Sequence, residues 1–323
     1  MNRTLATLVL AAMVVTPAAA QDYPTRPISI VVPYPAGGVT DGLVRLLAER
    51  MKGSLGQTVV VENVGGAAGT IGVARVARAA PDGYTIVLGN SETLVLAPVT
   101  MSIPYNPTAD FEAVALLPSY PFMLVTTNDV PAQNLKEMIA WFKANPQKVT
   151  QGMVGSGTVQ HLCGISIQNT IGAKWQFVPY RGGAPAIQDM LGGQINFMCT
   201  ATGSFLPLVR NKQIKAYAIT AKSRMEAAPE IPTVDEAGLP GLYVSVWNAL
   251  FVPKGTPADI VRKLNAAARE ALADPAFQKK VVFDMGLDMP ANDQRSPEAL
   301  RTMLGADIDK WWPVIKAANL KAQ

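Results

Sequence analysis

Between a strand-like Ile28–Val32 and a helix-like stretch opening at Asp41 runs the loop Pro33-Tyr34-Pro35-Ala36-Gly37-Gly38-Val39-Thr40-Asp41. Adjacent glycines let the backbone approach a ligand with no Cβ in the way. Asp41 is placed to cap the helix, whose first-turn N–H groups point back into the loop and favour an anion. A simple capped turn would use the same residues, so repetition carries the weight. Asn63-Val64-Gly65-Gly66-Ala67-Ala68-Gly69-Thr70 follows a second strand-like run, and Asn90-Ser91 follows a third. Gly155-Ser156-Gly157-Thr158 and Pro179-Tyr180-Arg181-Gly182-Gly183-Ala184 repeat the pattern later. Arg181 carries a rigid fork of donors suited to a carboxylate. A cleft-edge arginine paired with a nearby acid is its other reading.

Other chemistries find less support. The single histidine, His161, and two cysteines leave too few ligands for a His/Cys zinc site. A Ser156–His161 nucleophile pair lacks the G-x-S-x-G elbow, and a structural histidine is the favoured reading. The Gly66–Gly72 loop lacks the G-x-G start of a dinucleotide fingerprint, and no G-K-[ST] follows. No cofactor or metal is expected. The net charge of +4 is dispersed without long runs of one sign, which argues against nucleic acid despite a pI near 9.0. Asp41 could meet a ligand amine, although capping is the better reading. Trp247 either walls a cleft beside a hinge or fills the lobe interface; the former is preferred.

These loops require a scaffold. Strand, glycine loop and helix alternate through Gly89, then again from Phe122, which means a parallel sheet with helices on both faces. Such sheets bind ligands outside the carboxyl ends of their strands. Helices are expected at 71–80, 135–143, 159–171, 185–191, 258–273 and 296–320, with Pro185 at the first helical position. Block order gives two lobes joined by crossings near Pro121 and Val244: lobe one from 21–121 and 244–323, lobe two from 122–243. Arg3, the apolar run Leu5–Val15 and small Ala18 and Ala20 form a secretory signal peptide over 1–20, cleaved before Gln21. An exported chain permits a Cys163–Cys199 disulfide; two buried free thiols are the alternative, which spacing does not decide.

The motifs taken together resemble the Bug family of periplasmic solute receptors. They are Pro35-Ala36-Gly37-Gly38 with Asp41, Gly66-Ala67-Ala68-Gly69 with Gly72, Ala80-Pro81-Asp82-Gly83-Tyr84-Thr85, Gly155-Ser156-Gly157-Thr158 with His161-Leu162, Val178-Pro179-Tyr180-Arg181-Gly182, Gly192-Gly193-Gln194-Ile195, and Pro232-Thr233-Val234 with Glu236-Ala237-Gly238. The resemblance implies an α/β, two-lobed class II periplasmic binding protein fold with a ligand cleft between the lobes. It implies a monomeric, non-enzymatic receptor in the periplasm that delivers a small carboxylate to the membrane permease subunits of a tripartite tricarboxylate transporter. A receptor signalling to a membrane sensor would share the same site. By matching motif, the expected ligand set is Tyr34, Gly38, Val39, Thr40, Ala67, Gly69 and Ser91 from lobe one, and Ser156, Gly157, Thr158 and Arg181 from lobe two, with Thr200 and Trp247 beside them. Where many relatives have an acid after the late cysteine, this chain reads Cys199-Thr200-Ala201-Thr202. That weakens an amino-acid ligand and favours uncharged, aromatic or second-carboxylate tails.

Overall fold

The computed structural model describes residues 23–154, 158–180 and 183–317. The expected leader over 1–20, its cut before Gln21, and the loop residues Ser156, Gly157 and Arg181 lie outside the described residues. The N-terminal repeats form β1 (Ile28–Val32), α1 (Val39–Leu55), β2 (Val59–Asn63), α2 (Thr70–Ala77) and β3 (Thr85–Asn90). β2 and β3 lie parallel on either side of β1, so all three strand exits open on one edge. Both faces of the sheet are buried with period two. Ile28, Ile30 and Val32 join a core with Leu43, Val44 and Leu47 of α1, while Val31 packs with Val73 and Val76 of α2.

Helix α1 begins two residues earlier than expected. Gly38, with no side chain, takes the N-cap place, and Asp41 lies inside the first turn. From there the Asp41 carboxylate reaches back to accept the Gly37 N–H at 2.9 Å. It therefore satisfies the loop backbone without being the cap itself.

After β3 comes a π-helical turn at Glu92–Leu96, then α3 (Ala97–Thr100) and the long β4 (Phe111–Thr127). The chain continues through α4 (Leu135–Ala144), β5 (Thr150–Val154), α5 (Val159–Ile171), β6 (Gln176–Tyr180), α6 (Gly183–Leu191), β7 (Phe197–Ala201), α7 (Thr202–Arg210) and β8 (Ile214–Ile219). It ends with β9 (Ser245–Pro253), α8 (Ala258–Ala273), α9 (Pro275–Lys279) and α10 (Pro297–Ala317). Because α6 starts at Gly183, Pro185 is its third residue and not its first. Its missing N–H still falls among the first-turn donors that have no intrahelical partner.

The strands run in the order β2-β1-β3-β9-β4-β7-β5-β6, with β8 also on β4. The sheet is mixed, where alternation alone predicted a parallel one: β9 enters antiparallel to both β3 and β4. Up to Pro121, β4 pairs with β9; from Phe122 it pairs with β7 and β8. One strand thus serves two groups of neighbours. Its register shifts between Leu117 and Tyr120, around Pro118, and a proline without an N–H is tolerated at such a bulge. The Pro118 carbonyl accepts from the Asn248 side-chain amide at 2.9 Å.

The fold is two-lobed, and one core cluster runs through both groups of strands. It includes Val87 and Leu304 on one side, Phe142 and Ile167 on the other, and Phe122, Val246 and Trp247 between. Cys163 of α5 and Cys199 of β7 are joined by a disulfide, both fully buried. Among the described residues no helix is long and apolar enough to cross a membrane.

Candidate functional site

Three lobe-one loops converge at the carboxyl ends of β1, β2 and β3. A Cβ on Gly69 would sit 2.9 Å from Thr93 Cγ2 and 3.2 Å from the Pro33 carbonyl oxygen, so only glycine lets the second loop lie against the other two. Glycine also suits its φ of 91°. Ala67 and Ala68 beside it hold φ of 45° and 53°, a conformation that non-glycine residues seldom adopt and that concentrates at ligand-binding turns.

The first loop is fixed by a buried acid. Asp41 Oδ2 accepts from Gly37 N and from Arg45 Nε at 3.0 Å, while Oδ1 accepts from Asn63 Nδ2 at 2.9 Å. The same Asn63 amide donates to the Tyr34 carbonyl at 3.0 Å. Burial raises the Asp41 carboxyl, but the bonds from Arg45, Gly37 and Asn63 outweigh it and hold the group below its ordinary range. With these partners satisfied, the carboxylate orders the loop.

Behind the loop runs a directed chain of hydrogen bonds. Asn90 Oδ1 accepts from Thr93 N at 2.9 Å, which turns the Asn90 amide nitrogen toward Tyr34 Oη at 2.8 Å. The phenol oxygen accepts there, and its own proton is directed to Glu92 Oε2 at 3.4 Å. Burial pushes the Tyr34 phenol well above its usual range, and Glu92 adds to the effect. Burial raises the Tyr120 phenol well above its usual range, Glu92 adds to the effect, and Thr40 beside it offsets part.

Lobe two supplies the facing wall. Thr158 caps α5, its Oγ1 accepting the His161 N–H at 3.5 Å. Gln160, two residues on, accepts from Val154 N at 2.5 Å and donates to Thr200 Oγ1 at 3.2 Å, tying the ends of β5 and β7 together. A chamber of about 240 Å³ is lined by Glu92, Tyr120 and Phe122 on one side and by Val154, Thr158, Gln160, Thr200 and Phe205 on the other. A second chamber of about 380 Å³ adjoins it, because Ser91, Ser119 and Val159 line the second while their chain neighbours Glu92, Tyr120 and Thr158 line the first. Trp247, Trp311 and Tyr243 wall the larger space.

The expected residues divide as follows. Thr158 and Thr200 face the small chamber, and Tyr34 and Thr40 reach it through Glu92 and Tyr120. Gly38, Val39 and Ala67 are exposed on the loops, and Gly69 is buried beneath them. Ser91 lines the larger chamber, with its hydroxyl buried and without a hydrogen-bond partner among the described residues. Trp247 lines the same chamber, is 5% exposed, and donates its indole N–H to Asp307 Oδ2 at 2.6 Å. Glu92, Tyr120, Gln160 and Phe205 were not anticipated. Only Glu92 had a signal, as a charged residue directly after the third strand exit. His161 packs edge-on against Phe177 with ring centroids 4.6 Å apart, and burial lowers its pKa.

A two-lobed scaffold with a chamber walled from both sides is the architecture of periplasmic solute-binding proteins. Residues 43–320 match the tripartite tricarboxylate transporter family receptor, and the chain belongs to this family of non-enzymatic solute receptors. It is 38% identical over 319 residues to a UPF0065 protein from the TAR-I ttuE-ttuC' intergenic region of Agrobacterium vitis, covering 98% of this chain and 92% of the relative. The structure of periplasmic binding protein BugD is similar at a TM-score of 0.77 and 39% identity, covering 93% of this chain and 100% of BugD. MatC from Rhodopseudomonas palustris with bound malate is similar at a TM-score of 0.76 and 35% identity, over 91% of this chain and 100% of MatC.

Proposed function

We propose that this protein captures a small carboxylate in the interlobe cleft and delivers it to the membrane subunits of a tripartite transporter. The observation that carries the reading is convergence: the turn after β3 and the middle of β4 face the start of α5 and the end of β7 across one chamber. Malate in the MatC structure supports a carboxylate as the ligand class. In this reading lobe one comprises 21–121 and 244–323 and lobe two 122–243. Gly38, Val39, Thr40, Ala67, Gly69, Ser91, Ser156, Gly157, Thr158, Arg181 and Thr200 surround the ligand. Tyr34 and Trp247 support the walls. The chain is exported as a monomer and cleaved before Gln21.

Mechanism follows from where the donors sit. Each hydrogen bond to an ionised carboxylate contributes about 1.5–3 kcal/mol net. Donors from both lobes act together only when the cleft is shut, so ligand shifts the population toward the closed form. A membrane partner then distinguishes loaded from empty receptor. A thermal-shift screen of mono-, di- and tricarboxylates and aromatic acids tests the reading, since a ligand of the native state raises the melting temperature by mass action. No shift with any carboxylate would refute it.

A further inference from the structure

The small chamber holds one acid whose partners are incomplete. Glu92 opens the π-helical turn after β3 and lines the cleft opposite Thr158 and Thr200. Its one hydrogen bond among the described residues is the long one from Tyr34, and no described cation forms an ion pair with it. Aromatic rings from Tyr120, Phe122 and Phe205 line the same space. The neighbouring acid Asp41, by contrast, is fully engaged by Gly37, Arg45 and Asn63. Burial raises the Glu92 carboxyl above its ordinary range, and the Tyr34 bond offsets only part of this.

A carboxylate ligand entering this chamber meets a like charge unless something compensates it. We propose that Glu92 is the specificity-determining residue of the cleft, and that it selects ligands whose carboxylate is accompanied by a protonated amine seated against it. This inference rests on the carboxylate-receptor reading above. It reverses the expectation drawn from Cys199-Thr200-Ala201-Thr202: the acid comes from lobe one, after the third strand exit. The directed chain Thr93–Asn90–Tyr34 supplies the orientation, because the Tyr34 proton occupies Oε2 and leaves Oε1 to accept from the ligand. Buried carboxylates with a single neutral partner favour a cation that completes their hydrogen bonding.

Calorimetry at pH 7 with pairs differing only in the amine decides: L-alanine and propionate, L-aspartate and succinate, 4-aminobutyrate and butyrate. In the wild type at least one amine-bearing member should bind tenfold or more tightly than its partner. Glu92→Gln should remove at least tenfold of that preference, because it takes away the acceptor for the amine and also the like charge that opposes the deamino acid. The inference is overturned if every deamino acid binds as tightly as its partner in the wild type, or if Glu92→Gln leaves the ratio unaltered. The wild-type comparison stands even should the variant fail to fold. Deamino acids binding alone, or neither class binding, would sink this inference; the receptor reading falls only if the wider carboxylate screen is also empty.

Discussion

Gly38 separates folding from binding within a single residue. Its φ of −77° is open to any side chain, and a Cβ there would meet nothing nearer than the Pro35 carbonyl oxygen at 3.9 Å. Gly38→Leu should therefore leave the melting temperature within a few degrees of the wild type while abolishing measurable ligand binding in calorimetry. Unchanged affinity would remove the first loop from the site. Thr158→Val should weaken binding roughly 10–100-fold by taking one donor from a carboxylate. It should also lower stability by about 1 kcal/mol, since the same hydroxyl caps α5. The glycine loops were legible because all their parts are contiguous: strand, glycines, capping residue, helix. Tyr120 and Gln160 were not, because the chamber wall they form is assembled from the middle of β4 and the start of α5, far apart in the chain. No local pattern distinguishes a tyrosine facing a cleft from one facing a core.

At the scale of elements, the bulged β4 carries the junction between lobes. Its Ser119 pairs in both directions with Asp288, which belongs to the segment leading to α10. Burial raises the Asp288 carboxyl to about 6, and the negative charge of Glu226 adds to the shift. The folded state thus holds this proton more tightly than the unfolded chain does. The resulting stability is complete below about pH 4 and is lost as pH rises through 6. Asp288→Asn, which cannot ionise, should gain on the wild type across that window by up to about 3 kcal/mol. Urea denaturation of both proteins at pH 4 and pH 7.5 checks this; a constant difference would refute it. Sequence alternation located β9 and the second half of β4 but not their direction, and it missed β4 before Phe122. β9 resembles β1 and β3 in composition, and its reversal follows from the lobe that precedes it.

Across the whole molecule, the disulfide and the shared core bind the parts together. Cys163 and Cys199 close a separation of 36 residues within one lobe. By the chain-entropy relation this contributes about 4 kcal/mol. Alkylating the denatured, unreduced protein should label no thiols, and reduction should lower the unfolding free energy by roughly that amount. Two labelled groups per chain would show the bridge absent in solution. The cysteine count suggested the bond, but only the packing of α5 against β7 brings the two side chains together.

The order of the strands also sets the order of events during synthesis. β9 lies between β3 and β4, yet it is the last of the nine strands among the described residues to leave the ribosome. Until Ser245–Pro253 has been made, β3 and the first half of β4 have no neighbour between them, and each presents an open edge. The pairings of β4 with β7 and β8, and of β5 with β6, by contrast involve only strands made before β9. A chain ending before Ser245 would therefore lack the strand that joins the two halves of the sheet.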